Sequence, residues 1–128
     1  MKRKLLIINA DPIDSSLIVS LKDAFEVDVV QSLGAFQNLL EEKCLSDYDC
    51  IFMDPAMDPD PLYSADLSID GKKTGHLLYE DFNMRDLVSS VVVWSKDLLD
   101  FYEDLLWGNN VKIVKKFFEV ETIDLLVD

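Results

Sequence analysis

The chain is expected to fold as one α/β domain, a (βα)5 doubly wound parallel sheet with helices on both faces. Three observations predict this. Short apolar, β-prone runs alternate five times with stretches whose apolar residues recur at helical spacing. One run, Val91-Val92-Val93, has no polar face, as a strand covered on both sides requires. Another, Cys50 to Met53, ends abruptly in Asp54 and Pro55. In open α/β sheets, ligands and chemistry gather just beyond the carboxyl ends of the strands.

Taken in order, Lys4 to Ile8 reads as the first strand. Asn9-Ala10-Asp11-Pro12 is a turn, and proline suits the first turn of the helix that follows. Ile13, Leu17, Leu21 and Phe25 then recur at helical spacing, and Val27 to Val30 is the second strand. Ser32 can cap a helix that buries Phe36, Leu39 and Leu40 and ends near Leu45. Ser46-Asp47 turns the chain into the third strand and Asp54.

Pro55 to Lys73 holds three of the four prolines, four aspartates and a glycine, which predicts a long loop. Thr74 begins a helix carrying Leu77, Leu78 and Phe82, and Val88 to Trp94 is the fourth strand. Asp97 to Trp107 is a helix stopped by Gly108-Asn109-Asn110. Val111 to Val114 is the fifth strand, and Glu119 to Val127 a last helix. No repeat, low-complexity tract or linker divides residues 1–128, so a single domain is expected.

Composition narrows the function classes. With 12 basic against 25 acidic residues, the net charge is -13, which argues against binding nucleic acid or an anionic membrane. The 49% hydrophobic content argues against disorder. No window forms a membrane span, and Leu5 to Ile8 is too short for a signal h-region, so a cytoplasmic protein is expected. Cys44 and Cys50 are expected to be free thiols, since two cysteines alone cannot close a tetrahedral metal site.

The strand ends carry the chemistry. Asn9, Ala10 and Asp11 follow strand one, Asp54 follows strand three, Ser95 and Lys96 follow strand four, and Lys115 and Lys116 follow strand five. One acid, one hydroxyl and one or two ammonium groups could therefore converge. An acid so placed can attack phosphorus to give an aspartyl phosphate. Lysine would neutralise the phosphoryl oxygens and serine would donate a hydrogen bond to one of them.

In order and spacing these residues resemble the receiver domain of two-component response regulators, over nearly the whole chain. LLIINADP resembles the family's first strand and acidic turn, and YDCIFMDPAMDP the strand ending in the phosphorylated aspartate, with Asp54 in that place. VVVWSK puts Ser95 at the signalling serine or threonine. VKIVKKFF puts Lys115 at the family's lysine and Phe117 at the aromatic that follows it. The resemblance implies a flavodoxin-like fold with strand order 2-1-3-4-5. It implies a histidine kinase or phosphotransfer protein as donor, a downstream protein as target, and Mg²⁺ as cofactor.

Departures from the family cluster at the metal. Its two adjacent acids are here Asn9 and Ala10. Asparagine offers a neutral carbonyl and alanine offers nothing, whereas Mg²⁺ wants hard oxygen ligands in near-octahedral array. Asp54, alone or with Asp11, is expected to bind it poorly. Lys96 stands where the family has a small residue, Lys112 where it has an aromatic, and Lys116 where it has proline. The Pro59–Lys73 loop is longer than the family's. Lys96 or Lys115 could instead pair permanently with Asp54 and mimic part of an occupied site's charge balance.

Plainer roles stand beside these. Asp54 can cap the loop after its strand, and Ser95 can cap the next helix. His76 is expected on a solvated helix face. Asp58, Asp60, Asp66 and Asp70 lack the spacing and terminal glutamate of a calcium loop. Leu98, Phe101, Tyr102, Leu105, Leu106 and Trp107 cover more of their helix than one buried stripe needs. That predicts either a deeply packed helix or a partner face, including a homodimer through Asp97–Trp107 and strand five.

Two readings follow for a stand-alone receiver-like domain that is not an enzyme and signals through protein contact. In a live site Asp54 accepts phosphate, Lys115 pairs with it and Ser95 reports it. In a silent site the same surface is a phosphorylation-independent adaptor. A small flavodoxin-like flavin or nucleotide binder is the alternative, disfavoured because Asn9-Ala10-Asp11-Pro12 stands where a glycine-rich phosphate loop would be.

Overall fold

In the computed structural model, which describes residues 2–11, 15–96 and 99–115, the strands are β1 (Arg3–Ile8), β2 (Phe25–Val30), β3 (Cys50–Met53), β4 (Ser90–Ser95) and β5 (Val111–Lys115). They form one parallel sheet in the order β2-β1-β3-β4-β5, the flavodoxin-like arrangement. Helices α1 (Ser15–Ala24), α2 (Leu33–Leu40), α3 (Ala65–Ser68), α4 (Thr74–Asp81), α5 (Met84–Leu87) and α6 (Leu99–Glu103) connect them.

Strand periodicity explains the layering. Leu6, Ile8, Ile51, Met53, Val91 and Val93 face one apolar cluster with Phe36, Leu78 and Met84. Their alternates Leu5, Ile7, Cys50, Phe52, Val92 and Trp94 face the other with Leu21 and Phe25. Each wholly buried aliphatic or aromatic side chain contributes about 1.5–3 kcal/mol relative to exposure. The valine run of β4 is buried on both faces, as its sequence requires. Cys50 lies in the core, and burial pushes its thiol up to about 12, while Cys44 is exposed.

Caps follow the sequence where they are local. The Ser32 hydroxyl accepts the Ala35 N–H at 3.0 Å and starts α2. At the β2 edge of the sheet, Asp28 accepts from the Lys43 ammonium at 2.7 Å and from the Tyr48 hydroxyl at 2.6 Å. These bonds, Lys43 first, hold the Asp28 carboxyl below the usual carboxylate range.

Several elements differ from expectation. Phe25 does not close the first helix but opens β2, where it pairs with Arg3 and fills the second cluster. Apolar spacing alone served either role. Helix α2 stops at Leu40, and Leu45–Asp47 is a separate 3-10 turn. The stretch from Pro55 to Lys73 is no plain loop: it contains α3 and a set of cross-bonds described below. The helix expected to run to Trp107 ends at Glu103. Beyond it the Trp107 indole turns back and donates to the Tyr102 carbonyl at 2.7 Å. Tyr102 is fully buried, and Phe101, Leu105 and Trp107 are half-buried, so most of the apolar surface expected on this helix packs inward. The expected starts at Ile13 and Asp97, and the helix Glu119–Val127, lie outside the described residues, as do Lys116 and Phe117.

No helix among the described residues is long and apolar enough to cross a membrane.

Two glycines should respond oppositely to alanine. A Cβ at Gly75 would sit 2.6 Å from Pro55 Cα, against backbone that cannot yield, whereas one at Gly34 meets only Ser32 Oγ at 3.9 Å. Urea denaturation should show Gly75→Ala destabilising by about 2 kcal/mol. Gly34→Ala should stabilise by about 0.5 kcal/mol, because it lowers the entropy of the unfolded chain. The Asp28 cluster gives a pH signature. A lowered folded-state pKa stabilises above the unfolded value and is lost as pH falls through the folded one. Asp28→Asn should therefore lower the Tm at pH 7, and the gap to wild type should narrow below pH 4, read by circular dichroism.

Candidate functional site at the carboxyl edge of the sheet

Ile8, Met53, Val93 and Ile113 pair in one row across β1, β3, β4 and β5. The next residues out, Asn9 and Asp54, are neighbours at the carboxyl edge. Ser95 and Lys115 are themselves paired at the end of β4 and β5. Asp54 and Lys115 thus share one edge of the sheet, two strands apart, with β4 and Ser95 between them.

Asp54 is 9% exposed. Its N–H donates to the Ile8 carbonyl at 2.9 Å, which extends the β1–β3 ladder by one bond. Its Oδ1 accepts the Ala56 N–H at 3.0 Å, so the side chain also turns the loop that follows, the plainer role read from sequence. Asn9 is 1% exposed, with its own N–H on the Val30 carbonyl at 3.0 Å. Its Nδ2 donates to the Asp11 carbonyl at 2.6 Å, while its Oδ1 is buried with no hydrogen-bond partner. Ala10 and Asp11 are exposed. Ser95 is buried, and Lys96 and Lys115 are exposed.

The oxygen donors described at this corner include the Asp54 carboxylate, whose Oδ1 accepts the Ala56 N–H, and the neutral amide oxygen of Asn9, with Asp11 exposed two residues beyond Asn9. Ala10 has none. Among the described residues no group of three His, Cys, Asp or Glu side chains could hold a metal ion. A carboxylate, a hydroxyl and exposed ammonium groups on one edge can still bind or receive a phosphoryl group by charge and hydrogen bonding.

Sequence reasoning missed what fastens the chain after Asp54. Gly75 N–H donates to the Pro55 carbonyl at 2.9 Å, and Thr74 Oγ1 to the Met57 carbonyl at 2.7 Å. Met57 N–H donates to the Gly71 carbonyl at 3.1 Å. Gly71 has φ +86, and a Cβ there would meet the Met57 carbonyl oxygen at 2.7 Å. The Tyr102 hydroxyl donates to the Lys72 carbonyl at 2.7 Å, tying α6 to this stretch. Only the Thr-Gly pair at a helix start hinted at such a close approach; the Tyr102 bond spans thirty residues and leaves no local mark.

His76 is a correction. It is not solvated but 4% exposed, its Nε2 lying 2.7 Å from the Leu106 carbonyl and 3.1 Å from Glu80 Oε1. The residues 104–110 fold over that side of α4, which helical periodicity cannot reveal. His76 follows Gly75, whose N–H is bonded to the Pro55 carbonyl, so it stands in the turn of α4 nearest the stretch after Asp54, with its Nε2 engaged by Leu106 and Glu80.

No protein-family model and no curated protein matches the sequence. Among solved structures, the chain is similar to a response regulator receiver domain protein from Bacillus halodurans. The match has a TM-score of 0.63 and 16% identity, and it covers 100% of this chain and 96% of that one. The fold is that of a receiver domain, with five parallel strands in the order 2-1-3-4-5.

Proposed function

We propose that this chain is a receiver-like signalling domain of a two-component or derived pathway, that it acts through protein contact without catalytic turnover, and that it does so without phosphorylation. Asp54 stands at the phosphoacceptor position, with Ser95 and Lys115 as its companions across the edge. The observation that carries the silent reading is the donor set beside Asp54: Asn9 and Ala10 stand where two acids would hold Mg²⁺. An alanine, a neutral amide and the Asp54 carboxylate, with only the exposed Asp11 beyond them, do not fit a cation that demands several hard oxygens in near-octahedral array. Without a divalent ion, the charge on a transferring phosphoryl group loses several kcal/mol of stabilisation. A lysine at the same edge, Lys96 or Lys115, supplies fixed positive charge in its place. The receiver fold supports the signalling role; a histidine kinase or phosphotransfer protein and a downstream protein are the partners this reading implies.

Incubation with acetyl phosphate and Mg²⁺, followed by intact mass, tests it. Wild type should gain no adduct. A phosphoryl group that appears on wild type and is lost in Asp54→Asn would establish a live receiver and overturn the silent reading. The double variant Asn9→Asp/Ala10→Asp should restore a divalent site. Its tryptophan fluorescence should change on Mg²⁺ titration, where wild type stays flat, because Trp94 lies one residue before Ser95 at the same edge.

A further inference from the structure

Leu106 is 80% exposed, more than any other large apolar side chain among the described residues. An exposed leucine on a free loop would be ordinary, but this one is held in place. His76 Nε2 lies 2.7 Å from its carbonyl. Its neighbour Trp107 is fixed by the bond to the Tyr102 carbonyl and by edge contacts with His76 and Tyr79, centroids 4.6 and 5.1 Å apart. Two residues on, the Gly108 N–H donates to the Tyr79 hydroxyl at 3.0 Å. Before Leu106, the Leu105 N–H donates to the Tyr102 carbonyl at 3.2 Å, so the backbone is anchored on both sides of the exposed Leu106 side chain and little ordering entropy remains to be lost on contact.

Beside Leu106 lies a groove of about 410 Å³, walled by Tyr79, Glu80, Asn83, Arg85 and Asp86. Arg85 separates it from a second hollow of about 470 Å³ under Trp107 and Asn109. The Arg85 guanidinium lies over the Tyr79 ring, 5.9 Å from its centroid. The groove's lining carries two carboxylates, Glu80 and Asp86, and one guanidinium, Arg85.

From this geometry we infer that the groove docks a partner protein through a segment that sets an aliphatic side chain against Leu106 and a lysine or arginine against Glu80 and Asp86. Glu80 and Asp86 outnumber the one guanidinium in the lining and favour a basic segment. A second copy of this chain would bring a net charge of -13 against -13, and nucleic acid would bring phosphates against the same carboxylates. The groove opens where residues lead into the starts of β4 and β5, the edge opposite Asp54. A partner seated there leaves Asp54 uncovered. The inference deepens the proposed role in protein contact and does not depend on whether Asp54 is phosphorylated.

The probe is a short fluorescein-labelled peptide of alternating leucine and lysine, followed by anisotropy at low and high salt. Leu106→Ser, a surface change, should weaken binding about tenfold. Glu80→Gln/Asp86→Asn should weaken it comparably and flatten the salt dependence. Val19→Ser, an exposed valine on α1, should leave it unchanged. Binding that survives Leu106→Ser within about twofold, or that falls as much with Val19→Ser, would mean general attraction to an acidic protein and overturn the inference. So would self-association of wild type, seen by sedimentation, that Leu106→Ser abolishes, because the occupant would then be a second copy. The acetyl phosphate assay reads Asp54 alone, so failure there and failure here are separate results.

Discussion

Parallel pairing of β3 between β1 and β4 is the constraint on which the remaining arrangement depends. All four residues of β3 are buried, and its alternating side chains feed two different apolar clusters. A slip of one residue would exchange those clusters and drag a carboxylate into the core. The register is therefore fixed by burial, and it delivers Asp54 to the first position beyond the sheet. There the acid can be nearly buried because its polar groups are met: its N–H by the Ile8 carbonyl and one oxygen by the Ala56 N–H. Ser95 and Lys115 reach the same edge by the same pairing, carried one strand further at each step.

The stretch after Asp54 is held by backbone rather than by a long helix. Pro55 and Gly75 approach so closely that any side chain on Gly75 would collide, and Met57 and Gly71 do the same one layer out. Tyr102 closes the arrangement from the other side. Its hydroxyl meets the Lys72 carbonyl, and its own carbonyl receives the Trp107 indole N–H. One buried tyrosine thus bonds both to the segment that follows the candidate site and to the segment that presents Leu106.

Fold and chemistry separate in this chain. The sheet order and the whole-length likeness to a receiver domain follow from apolar patterning, which survives at 16% identity because many residues can fill a core position. A metal site has no such tolerance: replacing one carboxylate by alanine removes a ligand outright. The likeness accordingly speaks for the architecture, and function must be argued from the residues at the edge.

Much of this was legible in the residues themselves. The five strands, their parallel order through resemblance, the burial of Val91 to Val93, the Ser32 cap and the placement of Asp54 at a strand end all rest on periodicity or on contacts within a few residues. What could not be read were contacts between distant segments. His76 looked solvated because its own helix turn is polar; only residues 104–110 folding across it bury it. The expected helix to Trp107 stops at Glu103 because the indole finds the Tyr102 carbonyl and the His76 and Tyr79 rings instead. Pro55 to Lys73 looked like loose loop because its bonds run to Thr74, Gly75 and Tyr102. The sequence by itself determined which residues must be buried and where the sheet ends in chemistry, since local pattern and burial are short-range properties. Only the tertiary structure decided which polar groups pair across the molecule and which leucine is left in solvent, because those outcomes depend on packing between segments that carry no mark of one another.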